Sequence, residues 1–268
     1  MIECFDEAAN DQEMVEDLKV WLLKNKQTNS WQTTKATTEA CYALLLRGSD
    51  WLANDEMVEV QMGSKVIDPK AMGVKTEAGT GYYKMNWSGD EIKPEMGKIK
   101  LTSNTNSVSW GAIHWQYFEN LDKITGHETP IKIKKDLFLV ENTPSGPVIR
   151  PITKTKLKIG DKVRIRIELR LDRQMEFVHM KDMRAAGFEP LNVFSRYKYQ
   201  DGLGYYESTR DAATNFFFDN IGKGTYVFEY DVRVSHAGDF SNGIAQIQCM
   251  YAPEFNSHSD GIRVAVNK

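Results

Sequence analysis

Long apolar runs are missing from this sequence. The longest, such as Ala43-Leu44-Leu45-Leu46, fall far short of the ~20 residues that a membrane-spanning helix requires, so no membrane span is expected. An excess of positive charge is missing too. Thirty-four Lys and Arg stand against 37 Asp and Glu, for a formal net charge of -3, so nucleic acid and anionic lipid are not expected partners. Cysteine is scarce: Cys4, Cys41 and Cys249 lie far apart in the sequence, which argues against a disulfide framework and a structural zinc site. Gly79-Thr80-Gly81 and Gly202-Leu203-Gly204 lack the third glycine and following helix of a dinucleotide site, and there is no Gly-x-Ser-x-Gly elbow. His114, His127, His179, His236 and His258 include no pair at metal-binding spacing. No catalytic, cofactor-binding or metal-binding residue is therefore assigned, and an enzyme is not expected. The segment Met1-Ile2-Glu3-Cys4-Phe5-Asp6 has no secretory-signal pattern, so any export signal is expected upstream.

What is present is the composition of a soluble globular chain, 41% hydrophobic and 26% charged over 268 residues, enough for two domains. The first part reads as helical. Met14, Leu18, Trp21 and Leu22 follow the spacing of one buried helix face, with Asn10 and Glu13 as its capping box. A second helix is expected to start near Thr33 or Thr34, with Ala36, Ala40, Ala43 and Leu44 on its buried face and Gly48 behind it. Two short helices joined through Asn25 to Gln32 cannot bury both faces of their hairpin on each other. The hairpin is thus expected either to dock on the neighbouring sandwich or to be the last piece of a helical array.

After Trp51 the period changes to two. Met57 to Met62, Tyr82 to Trp87, Lys98 to Ser103 and Val108 to Phe118 read as strands of a first small sandwich ending near residue 128. Ile131 to Glu141 opens the next unit, and Asn142 to Pro147 reads as a loop. In Val163 to Leu171 every second residue is apolar and every intervening one charged, the pattern of a strand with one buried and one solvated face. Glu176 to Met180, Thr225 to Val234, Ala245 to Tyr251 and Ile262 to Val266 complete an expected second sandwich. The fold class is mainly β: two β-sandwich domains preceded by a short α-helical hairpin, with domains at 1–49, 50–128 and 129–268.

The stripe Arg164, Arg166, Glu168, Arg170 mixes signs and reads as a solvated face. The aromatic residues form two groups, Trp110, Trp115, Tyr117 and Phe118, then Tyr197, Tyr199, Tyr205, Tyr206, Phe216, Phe217 and Phe218. Their place among strand-period residues reads as core and inter-domain packing. The alternative is a surface-exposed platform that stacks on sugars, which would make the chain a cell-surface carbohydrate- or protein-binding module.

Trp31-Gln32-Thr33-Thr34 leading into Ala43-Leu44-Leu45 resembles the last helical hairpin of the thioester domain, an α/α toroid, in alpha-2-macroglobulin-like proteins. The strands after it resemble part of the CUB-like domain of that family. An ordered series resembles the final macroglobulin-like domain of bacterial members: Gly160-Asp161-Lys162-Val163, Lys181-Asp182, Ala185-Ala186-Gly187-Phe188-Glu189-Pro190, Tyr205-Tyr206-Glu207, Phe217-Phe218 and Met250-Tyr251-Ala252-Pro253-Glu254. The resemblance implies a C-terminal fragment of an extracytoplasmic bacterial endopeptidase inhibitor, in the periplasm or at the cell surface. Its partners would be the upstream domains of the same polypeptide and the target peptidases. It also implies that Met250 and Tyr251 shield a thioester, the alternative being a strand end with ordinary packing. No cofactor is implied, and Cys4-Phe5-Asp6-Glu7 departs from the Cys-x-Glu-Gln thioester signature at its last two positions.

Overall fold

The computed structural model describes residues 1–51, 57–78, 81–104, 109, 111–200 and 202–268. The chain is mainly β, with antiparallel sheets behind a short helical region, and it clusters into two compact units. One comprises residues 1–23 and 31–113, the other residues 24–30 and 114–268.

After short helical turns at Ile2–Cys4 and Phe5–Ala9, the helical region has two longer helices, α1 (Gln12–Thr28) and α2 (Thr34–Leu46). The cap of α1 is Asp11, whose Oδ1 accepts from Met14 N at 3.0 Å. The expected cap, Asn10, has φ +50 and closes the preceding π-helical turn, which removes it from the extended geometry a cap requires. The buried face is also rotated by one residue from the expected one. Val15 and Lys19 are buried while Met14 and Trp21 are exposed. Lys19 causes the difference: its ammonium donates to the carbonyls of Arg47 at 2.8 Å and Ser49 at 2.7 Å and lies 4.4 Å from the centre of the Trp51 ring. A buried cation thus supplies donors to carbonyls just past α2, where no helical N–H reaches. At the other end of α2, Thr33 Oγ1 accepts from Ala36 N at 3.0 Å, and Ala40 and Leu44 are buried as expected. Ala36 is exposed.

The sheet of the first unit has the order β2-β1-β3, from β1 (Glu59–Met62), β2 (Lys65–Ile67) and β3 (Ile99–Thr102). Tyr82 to Trp87 forms no strand, yet Tyr83, Met85 and Trp87 pack on the core of Met62, Ile67 and Met96. Its alternation is real, but among the described residues no neighbouring backbone completes a ladder. Residues 111–118 likewise form no strand, and Val108 and Trp110 lie outside the described residues.

The second unit is a sandwich. Its strands are β4 (Ile131–Thr143), β5 (Gly146–Pro151), β6 (Leu157–Lys158), β7 (Lys162–Leu171), β8 (Met175–Met183), β9 (Phe188–Pro190) and β10 (Arg196–Gln200). They continue as β11 (Leu203–Thr209), β12 (Ala213–Ile221), β13 (Gly224–Val234), β14 (Gly238–Gly243), β15 (Ala245–Cys249), β16 (Asn256–His258) and β17 (Ile262–Asn267). A six-stranded sheet, β10-β11-β12-β8-β15-β16, and a five-stranded sheet, β5-β4-β7-β13-β9, contribute most of one core, with β14-β17-β6 as a third, smaller sheet. Asn142 to Pro147 is a tight hairpin between β4 and β5, not an extended loop, with Thr143 paired to Gly146. The prolines are tolerated because β5 is an edge strand.

The charged face of β7 pairs with β13. Arg164 donates to Asp231 Oδ1 at 2.8 Å and Oδ2 at 3.2 Å, and Arg166 to Glu229 at 2.6 Å. Residues 121–129 are fastened to the β16–β17 region of the same unit. His127 and His258 exchange backbone hydrogen bonds at 3.0 Å, Gly261 N donates to Ile124 O at 2.7 Å, and Gly126 N donates to Asp260 Oδ1 at 2.6 Å.

Candidate functional site

Phe177 interrupts the alternation of β8. Met175 and Val178 are both buried, so two successive residues, Glu176 and Phe177, face outward between them. The shift is made by the backbone of Phe177, whose φ of +54 is an outlier for an aromatic residue. The turn after β15 completes the arrangement. Cys249 is buried opposite Val178, Met250 N donates to Phe177 O at 2.9 Å, and Cys249 N donates to Phe255 O at 2.9 Å. Ala252 and Phe255 anchor the turn in the core.

Met250 and Tyr251 are therefore held on a rigid base with their side chains in solvent, 57% and 79% exposed, next to Phe177 at 44%. The Tyr251 and Phe177 rings meet edge to face, 5.2 Å between centroids. Ordered apolar groups held in water on a strained backbone position are a feature of docking sites. Near the base of the cluster, Ser30 N and Oγ donate to Glu176 Oε2 at 3.0 and 2.6 Å, and Thr28 Oγ1 donates to Gln174 O at 3.1 Å.

The aromatic residues of this unit divide by strand phase. Tyr205, Phe216 and Phe218 lie in the core, as their strand-period placement suggested. Tyr197, Tyr206, Phe217 and His179 are direct cross-strand neighbours in a row on the opposite face of the six-stranded sheet. Tyr197 and Tyr206 stand 63° apart and Phe217 stacks on His179 at 4.7 Å. A shallow hollow of about 340 Å³ beside them is lined by Tyr197, Gly204, Tyr205, Tyr206, Phe217 and Asp219. Trp115, Tyr117 and Phe118 are exposed and so are not core residues, the first of the two roles expected for them. Trp110 lies outside the described residues.

Among the described residues no group of three or more His, Cys, Asp or Glu side chains is arranged to hold a metal ion. Cys4 and Cys41 are exposed, Cys249 is buried, and all three are free thiols.

Two groups of functional interest escaped the sequence reading. The backbone conformation of Phe177 has no sequence signal, because nothing in Glu176-Phe177-Val178 calls for positive φ. A buried polar cluster did have one. Lys135 and Asp182 occupy the inward phase of β4 and β8, where every neighbour of the same phase from Ile131 to Leu139 and from Val178 to Met180 is apolar.

Residues 131–254 match the family described as the bacterial alpha-2-macroglobulin MG10 domain. The Phe177–Met250–Tyr251 cluster lies inside it. Among solved structures, trypsin-activated alpha-2-macroglobulin from Escherichia coli is similar over 100% of this chain and 18% of that chain, at 10% identity and a TM-score of 0.48. Salmonella alpha-2-macroglobulin reacted with methylamine is similar over 90% of this chain and 15% of that one, at 14% identity and a TM-score of 0.44. A curated relative, circularly permutated Ras protein 2 of Dictyostelium discoideum, is 22% identical over 112 residues, 42% of this chain and 3% of its own length. The chain thus spans a small part of each of these proteins.

Proposed function

We propose that this chain is the C-terminal part of a bacterial alpha-2-macroglobulin-like peptidase trap, working outside the cytoplasm as non-enzymatic scaffold and docking surface. The reading assigns residues 1–49 to the end of an α/α toroid, 50–128 to a CUB-like portion and 129–268 to the final macroglobulin-like domain. It rests above all on the MG10 match over residues 131–254. The exposed Met250 and Tyr251 add a physical reason. In this reading they cover a thioester carried elsewhere in the polypeptide, since an acyl thioester survives only where apolar groups keep water away. Exposed Trp21, Leu45 and Leu46 on the helical hairpin fit a role as one edge of a larger helical array.

The outward aromatic row favours a second reading, a glycan-binding module. The 63° between Tyr197 and Tyr206 argues against it, because a sugar-stacking platform needs rings that lie in one plane.

The test uses the full-length polypeptide that contains this chain. Incubated with trypsin or elastase, it should protect a large protein substrate while the peptidase still cleaves a small peptide substrate. Equal loss of both activities, or of neither, would refute the trap.

A further inference from the structure

Lys135 on β4 and Asp182 on β8 meet across the core, joining the five-stranded to the six-stranded sheet. Both side chains are 0% exposed, and Lys135 Nζ lies 2.6 Å from Asp182 Oδ1. That contact lacks the angles of a hydrogen bond, and Oδ1 has no hydrogen-bond partner. Every other polar atom of the pair has one: Nζ donates to Met183 O at 2.5 Å, and Tyr230 Oη donates to Asp182 Oδ2 at 2.5 Å. Arg184, a buried cation whose charge is felt by both groups, is engaged elsewhere, on Thr214 Oγ1 at 2.9 Å and on the carbonyls of Asp211 at 3.1 Å and Ala213 at 3.4 Å.

Burial is the main influence on both groups. It pushes the Lys135 amine down and the Asp182 carboxyl up, and their mutual attraction only partly opposes it. Both directions favour an uncharged amine against an uncharged carboxyl. Burial, reinforced by the adjacent carboxyl, pushes the Tyr230 phenol well above its usual value, so it stays a donor.

A nucleophile held against the carboxyl group it would attack, with both side chains closed off from the surface, has much of the entropy of reaction already removed. We propose that Lys135 and Asp182 condense into an intramolecular isopeptide bond that ties the two sheets together. The Nζ lone pair adds to Cγ, and the negative charge that develops on Oδ2 is met by the Tyr230 hydroxyl, as in an oxyanion hole. The Nζ–Cγ bond forms and the Cγ–Oδ1 bond breaks. Oδ1 leaves as water, carrying the carboxyl proton and one amine proton, and nothing is oxidised or reduced. The product keeps the useful contacts: its amide N–H still reaches Met183 O, and its carbonyl oxygen still accepts from Tyr230. The oxygen that had no hydrogen-bond partner is the one expelled. A retained ion pair would instead leave two charges desolvated in the core.

The test is the intact mass of the purified full chain, measured under denaturing conditions. The expected mass is lower than that of the sequence by one water, and proteolysis should release a branched peptide joining Lys135 to Asp182. Lys135→Arg and Asp182→Ala should each restore the full sequence mass. The wild-type measurement decides the matter even if neither variant folds. A wild-type mass equal to that of the sequence overturns the proposal. So does a water loss that fragmentation places elsewhere, for instance at a dehydrated Asp260-Gly261.

Discussion

Phe177 occupies the left-handed backbone region, where the Cβ of an L-residue crowds the following carbonyl at a cost of about 1–2 kcal/mol. That strain holds the ring outside the sandwich, against Tyr251. Phe177→Gly should therefore be more stable than Phe177→Ala, by roughly 1 kcal/mol in urea denaturation, because both lose the ring but only glycine relieves the backbone. Equal stabilities would show that the conformation carries no strain. Lys135 and Asp182 make the complementary point about buried charge. Their place in the inward phase of two apolar strands is visible in the sequence, but the 2.6 Å approach across the core depends on how the two sheets face each other, which no local pattern encodes.

Pairing between β7 and β13 sets the pH response of one sheet. Burial tends to raise the Asp231 carboxyl, but the Arg164 fork and Lys162 outweigh it and hold the group below its usual value. The folded value lies below the unfolded one, near 3.9. This stabilisation is therefore present above about pH 4 and is lost as pH falls through the folded value. Because the pair is partly solvated, it amounts to less than about 1 kcal/mol. Asp231→Asn should lose less stability than wild type between about pH 5 and pH 3, measured by urea denaturation; equal acid sensitivity would remove Arg164 and Lys162 as the cause. Strands such as β7 were legible because each buries one face and solvates the other. β11 and β12 were not bounded as strands, since Tyr205-Tyr206 and Phe216-Phe217-Phe218 put aromatics on both faces and blur where each strand begins and ends. Asn142 to Pro147 hid a hairpin because its Pro and Gly content matches that of a loop. On α1, spacing predicted the element but not which side packs, since a buried lysine ranks as polar in any apolar pattern.

For the molecule as a whole, the strap at residues 121–129 lies just before the segment that matches the MG10 domain family. A Cβ on Gly261 would overlap the carbonyl oxygen of Leu121, so only glycine lets the strap lie against the β16–β17 turn. Gly261→Ala should release it and speed limited proteolysis within residues 111–129; an unchanged cleavage rate would mean that the strap is held by other contacts. Asp122 adds an ion pair to Arg263 at 3.0 Å at the same place.

That strap has a consequence for the order of folding. It joins residues on either side of the whole sandwich, separated by more than 130 positions in contacts such as Gly126 with Asp260. Closing so long a loop is entropically expensive until the intervening strands have paired, and pairing over such distances is slow. During synthesis, residues 121–129 emerge early and must wait for residues 257–263 before their backbone groups find partners. The strap is thus the last stitch, and a ribosome-bound chain stopped short of residue 257 would carry it unfastened.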